Sequence, residues 1–452
     1  MRRQLSSVAG AAGGRLDGVD ATVTGVASDS RSVRPGDLFV AVSGERVDGH
    51  DHVDAALGAG AAGALVSSDA RFAGTVVRVA DTREALLRLA ADERAGSEAE
   101  VVGITGSTGK TSVKDLTAAV LATRFRVHAS PRSFNTEIGV PLTLLNAPPD
   151  TEVVVCEMGS RGPGHIARLC EVARPGVGVV TNVGPAHLEM FGSVDAVADA
   201  KAELVEALPE SGTAVLNADD PRVSAFDARS RAGVLRFGTG PNADVRGEEL
   251  RLDPSGLASF TLRTPGGTER VQLAVPGEHM AWNALAAAAA GVALGLTAGE
   301  CATGLKEARV SSWRMEITEG RDGIRILNDA YNANPTSMAA ALKAARWIAG
   351  RHRCVAVLGP MAELGAASAE EHERVGELAA RLAIDHLVVV GEEARLIAVG
   401  AVREGVEPDR VFRCDTPEEA AAAAMRAARP GDVVLVKGSR VAGLERVAEA
   451  MR

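Results

Sequence analysis

The chain has no Cys-x-x-Cys pair. Its five cysteines, Cys156, Cys170, Cys301, Cys354 and Cys414, are scattered over 452 residues. That scatter excludes a zinc ribbon or a disulfide framework and suits a reducing compartment. An excess of positive charge is also missing, since the formal net charge is −10. Nucleic-acid binding needs a basic surface that neutralises phosphates, so no nucleic-acid partner is expected. Local basic sites for one small anionic substrate are still allowed. No stretch of 18 apolar residues runs free of charges and strand breakers, so no membrane insertion is expected. Arg2 and Arg3 are not followed by an apolar core of signal length. No internal repeat or low-complexity tail is evident. The expectation is a monomeric cytoplasmic protein.

What is present is alternation between apolar runs and helical stretches. The length suggests two to four domains, and a hydrophobic content of 46% suffices for several cores. Three α/β blocks separate, at 1–98, 99–311 and 312–452. The first has short apolar runs at Leu38–Val42, Ala64–Val66 and Val76–Val79, and leaves through the polar segment Arg94–Glu100. The second reads as a doubly wound parallel sheet with strands at Val101–Thr105, Val153–Cys156, Val177–Thr181 and Ala214–Asn217. An insertion at about 231–275 alternates polar and apolar residues and reads as an antiparallel patch. The helix Ala281–Leu294 closes this block. The third block has strands at Ile324–Leu327, Cys354–Leu358, Leu387–Val390 and Val433–Val436, and reads as a second Rossmann-like unit. The alanine runs at 284–294 and 419–428 fit small-residue helices packed on these sheets.

The strongest chemical signal is Gly106-Ser107-Thr108-Gly109-Lys110-Thr111-Ser112. It lies between a buried strand and a helix start, where backbone N–H groups and the helix dipole favour an anion. Gly106 and Gly109 permit positive φ and close backbone approach. Lys110 would reach the β- and γ-phosphates, and the Thr111 hydroxyl would ligate Mg²⁺. The strict phosphate-loop pattern would put its first glycine at Ile104, so this loop is a shortened form. A nucleoside triphosphate is the expected ligand.

Other candidates sit at strand ends. Glu157 ends an apolar strand, where phosphate-loop enzymes place a carboxylate that holds Mg²⁺. His187 follows another central strand and suits either a metal or a structural role. Lys201 opens a helical stretch as a phosphate contact, a carbamylated metal ligand or a surface lysine. The stretch from Asn328 to Ser337 holds the chain's only tyrosine, Tyr331, and is dense in hydrogen-bonding side chains after a strand. Asn334 or Thr336 could also cap the following helix.

Together these motifs resemble the Mur ligase family along essentially the whole chain. Gly106–Thr111 is similar to that family's shortened ATP loop. The run Ser133 to Pro141, with Asn135 and Thr136, resembles the segment facing a UDP-sugar peptide. Cys156-Glu157-Met158-Gly159 and the run Thr181 to Glu189, containing His187, resemble its two metal-ligand motifs. Lys201 matches the lysine that is carbamylated in the family. Asn283 matches the adenine contact, Arg314 the arginine that reaches across to the ATP phosphates, and Asp329 the aspartate near the ribose. Asp29-Ser30-Arg31, Pro35–Phe39 and Asp48-Gly49-His50 resemble a uridine-binding domain. In the third block, Asp329–Pro335, Gly359–Gly365 and Lys437–Arg440 resemble the family's dipeptide-adding member, with Tyr331, Asn332 and Asn334 as substrate contacts; the Asp-Asn-Pro-Arg signature of its sister ligase is absent.

The resemblance implies a small uridine-binding α/β domain, a central phosphate-loop parallel-sheet domain and a C-terminal Rossmann-like domain. It implies an ATP-dependent ligase that joins UDP-N-acetylmuramoyl-tripeptide to D-alanyl-D-alanine through an acyl phosphate. ATP, two Mg²⁺ ions and carbamylated Lys201 are the implied cofactors. Lys110, Glu157, His187, Lys201 and Arg314 would carry the chemistry, with Thr111, Glu157, His187 and Lys201 at the metals. Closure of the third domain implies a hinge near Val310–Ser312. Met280, Asn328 and Pro360 depart from common family residues. A sister ligase adding a diamino acid, or a nucleotide-binding relative without ligase activity, are the alternatives at this point.

Overall fold

The computed structural model describes residues 1–44 and 47–452. Each block builds its own sheet. In the first, Arg15–Asp17, Val76–Arg78, Gly63–Val66, Asp37–Val40 and Gly25–Ala27 lie side by side in that order. Only the first pair is antiparallel. A small ladder of Arg3–Gln4 with Thr22–Val23 stands beside it. The helix Thr82–Ala95 closes the block, and Asp81 caps it by accepting from the Arg83 and Glu84 N–H groups. The connection to the second block is therefore shorter than the polar segment read from the sequence. The helix continues to Ala95 and the next strand begins at Glu100.

The second sheet has nine strands, and its position is what creates the site. Glu100–Thr105 lies between Val177–Val180 and Val153–Glu157, all parallel. Thr105, Glu157 and Thr181 therefore stand together at the carboxyl edge, where ligands bind in such sheets. Parallel strands covered on both faces demand continuous apolar residues, and Val101, Val102, Ile104, Val153, Val154 and Val155 are all buried.

The insertion is only partly the antiparallel patch expected. Its first strand, Gly233–Gly238, pairs parallel with Thr213–Asn217 and so extends the main sheet. The crossover helix Pro221–Ser224 has four residues, too short to show a helical period. Val245–Leu252 continues it in parallel, and Leu257–Thr264 and Gly267–Pro276 then turn antiparallel on the same sheet. The edge strand Val127–Ala129 carries no sequence signal, since three half-buried residues with a central histidine cannot show a pattern.

The third sheet runs Glu316–Glu319, Arg325–Asn328, Val433–Lys437, Cys354–Leu358, His386–Val390, Val411–Cys414. Its first pair is antiparallel and the rest parallel. The two outer strands were not legible, because edge strands with polar residues such as Glu316 and Arg413 lack a continuous apolar run. The alanine runs form the helices His279–Ala293 and Pro417–Ala427, both buried on a sheet as expected. One apolar cluster includes residues of both the second and third sheets, with Met280, Met315 and Ile348 among its members. Among the described residues, no helix is long and apolar enough to cross a membrane.

Candidate active site

A cavity of about 940 Å³ opens where the three blocks meet. Arg83 reaches it from the first block, the phosphate loop from the second, and Arg314, Tyr331, Glu363 and Lys437 from the third.

The phosphate loop has the conformation its glycines require. Gly106 has φ +145°, and a Cβ there would lie 1.9 Å from Thr181 Oγ1. Gly109 has φ +80°, and a Cβ there would lie 2.6 Å from Asn283 Oδ1. Both positions exclude a side chain by contact and by backbone angle. Asn182 Oδ1 accepts from the Thr108 N–H and hydroxyl, each at 3.0 Å, and Ser107 Oγ donates to Gly184 O at 3.0 Å. The loop is thus fixed to the neighbouring strand end. Lys110 folds over it and donates to Gly106 O at 2.7 Å. Burial lowers the Lys110 ammonium below the ordinary lysine value, with the Glu157 carboxylate opposing that shift.

Beside the loop, Thr111 Oγ1 donates to Glu157 Oε2 at 2.7 Å, and Asn135 Nδ2 donates to Glu157 Oε1 at 2.7 Å. Glu157 is 1% exposed. A buried carboxylate next to a threonine hydroxyl is a set of hard oxygen donors of the kind Mg²⁺ takes. Among the described residues, no three His, Cys, Asp or Glu side chains gather into a metal cluster.

His187 has φ +54°, and its Nδ1 pairs with the Glu363 carboxylate of the third block. The hydrogen bond from His187 and its charge hold the Glu363 carboxyl below its usual value. Lys201 is buried rather than at the surface, and Nζ donates to Ser160 Oγ at 3.1 Å. Burial, reinforced by the nearby Lys110 charge, brings its ammonium down to about 7.

From the third block, Arg314 Nη2 donates to Ser133 Oγ at 3.0 Å, and its guanidinium lies 4.2 Å from the Tyr331 ring centre. Among the described residues, the buried Arg314 Nε has no hydrogen-bond partner. Asp329 accepts from Lys437 Nζ at 2.6 Å and from the Met315 N–H at 3.2 Å. Asn332 O also accepts from Lys437, at 2.9 Å. Asn334 caps the helix Pro335–Ala349 in a capping box with Ser337.

The cavity therefore gathers Ser107, Thr108, Gly109, Lys110, Thr111, Ser112, Asn135, Thr136, Glu157, His187, Asn283, Arg314, Asp329, Tyr331, Asn332 and Asn334. Gly106 shapes the loop behind it, and Lys201 lies beneath the wall, touching the lining residue Ser160. Ser30 and Arg31 do not line the cavity. Arg31 is exposed and paired with Asp29, whose carboxyl its hydrogen bonds lower to about 2. The sequence did not single out Asn182 or Glu363 individually as contacts. Both lie in motifs it did mark, at strand ends where ligands bind.

Comparison with known proteins places this arrangement. Residues 104–291 match the Mur ligase middle domain, 313–440 the Mur ligase glutamate ligase domain, and 22–94 the Mur ligase family catalytic domain. A protein of Mycobacterium tuberculosis named UDP-N-acetylmuramoyl-tripeptide--D-alanyl-D-alanine ligase is 42% identical over 99% of this chain and 96% of its own. The structure of MurF from Acinetobacter baumannii superimposes with a TM-score of 0.89 at 30% identity, covering 100% and 99% of the two chains. That of the Thermotoga maritima MurF ligase in complex with ADP gives 0.81 at 31%, covering 95% and 97%. By sequence along its whole length and by its three matched domains, the chain belongs to the Mur ligase family.

Proposed function

We propose that this protein is the ATP-dependent ligase that adds D-alanyl-D-alanine to UDP-N-acetylmuramoyl-tripeptide, in the cytoplasmic synthesis of peptidoglycan precursors. One observation carries the reading. An intact phosphate loop, the Thr111–Glu157 pair and the third-block cation Arg314 converge on one cavity. The name of the mycobacterial relative supplies the substrates.

Joining a carboxylate to an amine in water is uphill, and a carboxylate is a poor electrophile. The peptide carboxylate attacks the γ-phosphate of ATP, the bond to the β,γ-bridging oxygen breaks, and ADP leaves to give an acyl phosphate. The dipeptide amine then attacks the acyl carbon, and inorganic phosphate leaves. Phosphoryl transfer asks chiefly for positioning and charge neutralisation. The loop N–H groups and Lys110 would cradle the phosphates, and Arg314 would take the charge that develops on the transferred group. Its unpartnered Nε and its place over Tyr331 suit that task. Asn283, packed against Gly109, would contact the adenine, and Asp329 the ribose.

Thr111 and Glu157 would hold Mg²⁺, which neutralises phosphate charge when bound. Carbamylation fits Lys201, because a buried amine titrating near 7 has a large neutral fraction able to add carbon dioxide. The carbamate would bring a second anionic oxygen ligand from behind Ser160, and His187 would be a further metal ligand. On the substrate side, Asn135 and Thr136 would face the UDP-peptide, and Tyr331, Asn332 and Asn334 the dipeptide. Ser30 and Arg31 would belong to the uridine end. The working units would be 1–98, 99–311 and 312–452, acting as a monomer.

The test is phosphate release from ATP by purified protein given UDP-N-acetylmuramoyl-tripeptide, with and without D-alanyl-D-alanine. Release that needs both, with L-alanine or a diamino acid inactive, supports the reading. Release with a single amino acid and a shorter UDP-peptide would replace it with a sister ligase.

A further inference from the structure

The helix Lys110–Leu121 that begins at the phosphate loop carries two charged residues that the chemistry above leaves unused, Lys114 and Asp115. Lys114 is 2% exposed, and its ammonium is held by two hydrogen bonds and one ion pair. It donates to Ser130 O at 2.7 Å and Arg132 O at 2.8 Å, and pairs with the Asp115 carboxylate at 2.8 Å. Asp115 uses its other oxygen on the linker to the third block. Oδ2 accepts from the Ser311 N–H at 2.7 Å and the Ser311 hydroxyl at 2.8 Å.

The two anchored segments meet again at the site. Lys114 fixes the carbonyls immediately before Ser133, and Asp115 fixes the chain three residues before Arg314. Arg314 donates to Ser133 Oγ, and Ser133 Oγ lies 3.0 Å from Thr111 Oγ1 on the same helix. Thr111, Lys114 and Asp115 are spaced three and four residues apart, so they share one helix face. The contacts close a ring from Thr111 through Ser133, Arg314, Ser311 and Asp115 back to the helix.

Arg314 needs such holding. Trp313 and Met315 on either side have φ of +61° and +54°, in the left-handed region that non-glycine residues rarely occupy. Strained positions of this kind persist only where surrounding contacts over-determine them. Downstream, Trp313 N donates to Glu316 at 3.1 Å and Met315 N to Asp329 at 3.2 Å. Upstream, the anchor is Asp115.

We propose that Lys114 and Asp115 are positioning residues that tie the phosphate-loop helix to the interdomain linker and so set Arg314 beside Thr111. The inference rests on the proposed role of Arg314. It adds that the arginine's effect depends on a carboxylate that touches no substrate.

A double-mutant cycle tests it, using Arg314→Ala, Asp115→Ala and both together in the full-length protein. The cycle is read by kcat and, separately, by the dissociation constant of ATP with Mg²⁺; thermal melts check that each variant folds. In the wild-type background Arg314→Ala should lower kcat by roughly 10³-fold, the low end for an arginine on a transferring phosphoryl group. In the Asp115→Ala background the same change should cost less than about tenfold, because the arginine is already misplaced. Asp115→Asn keeps an acceptor for Ser311 and should restore most of the loss. Equal fold-losses from Arg314→Ala in both backgrounds, by rate and by affinity, would overturn the proposal. An active Asp115→Asn variant also distinguishes loss of the anchor from loss of folding. Failure of the unaltered protein to release phosphate with the two substrates would instead count against the functional reading, while the ATP-affinity cycle would still decide the role of Asp115.

Discussion

The seam between the second and third blocks and the edge of the first block were both expected to carry substrate contacts, and they differ sharply. At the seam, residues distant in sequence lock together. Arg314 meets Ser133, Ser311 meets Asp115, and His187 meets Glu363. At the first block's edge, Arg31 pairs with its near neighbour Asp29 and stands in solvent. Transfer of a phosphoryl group tolerates little misplacement, so its groups are held by partners that cross between the blocks. Recognition of a distal nucleotide end can rely on exposed loops over a rigid scaffold. The difference teaches that at the seam a residue's effect depends on its neighbours, whereas at the edge each residue should act by itself.

Substitutions can break this contrast, and the largest effect should come from the loop itself. Lys110→Ala should lower kcat by at least about 10³-fold, since it removes a phosphate cation at the reacting centre. Steady-state phosphate release checks this, and a loss below tenfold would show that Lys110 is a loop brace to Gly106 only. Lys201→Ala should lose about 10²-fold or more, with partial rescue by added short carboxylic acids, because they can supply the missing anionic oxygens. Full activity of that variant would remove the carbamate from the site.

A smaller effect belongs to the seam contact. Glu363→Gln should cost roughly three- to tenfold in kcat, as expected for a partly exposed pair, and should leave the ATP affinity unchanged. Arg31→Ala should be the mildest, raising KM for the UDP-peptide a few-fold with kcat intact, because an exposed pair contributes little. A larger kcat loss from Arg31→Ala than from Glu363→Gln would erase the contrast.

Lys201 also gives a pH test in carbon-dioxide-free buffer. Its folded value, about 7, lies below the ordinary lysine value of 10.5, so over that interval the unfolded chain binds more protons than the native one. Stability should therefore rise with pH from about 7 towards 10.5 and fall as the pH drops to 7. Denaturant melts of the wild type and of Lys201→Met should differ in this slope, the variant lacking the contribution.

The phosphate loop was legible in the sequence because its requirements are local. Gly106, Gly109, Lys110 and Thr111 must be contiguous to cradle phosphate at a helix start. The central strands were legible because burial on both faces writes a short apolar run rich in valine, broken only by small residues such as Gly103 and Gly178. The roles of Asp115, Ser133 and Glu363 were not, since each is defined by a partner far along the chain, 196 residues away for Asp115 and Ser311. Lys201 was ambiguous for a related reason, as nothing local distinguishes a buried lysine from a surface one. Asn334 shows two signals overlapping, because the same side chain caps a helix and faces the cavity.

The most direct measurement follows oxygen. UDP-N-acetylmuramoyl-tripeptide labelled with ¹⁸O in its terminal carboxylate is incubated with protein, ATP, Mg²⁺ and D-alanyl-D-alanine, and the released phosphate is analysed by mass. Attack of the carboxylate on the γ-phosphate puts a substrate oxygen into the bridge, so each phosphate released with product should carry one label. Unlabelled phosphate alongside formed product would contradict activation of the carboxylate by phosphoryl transfer.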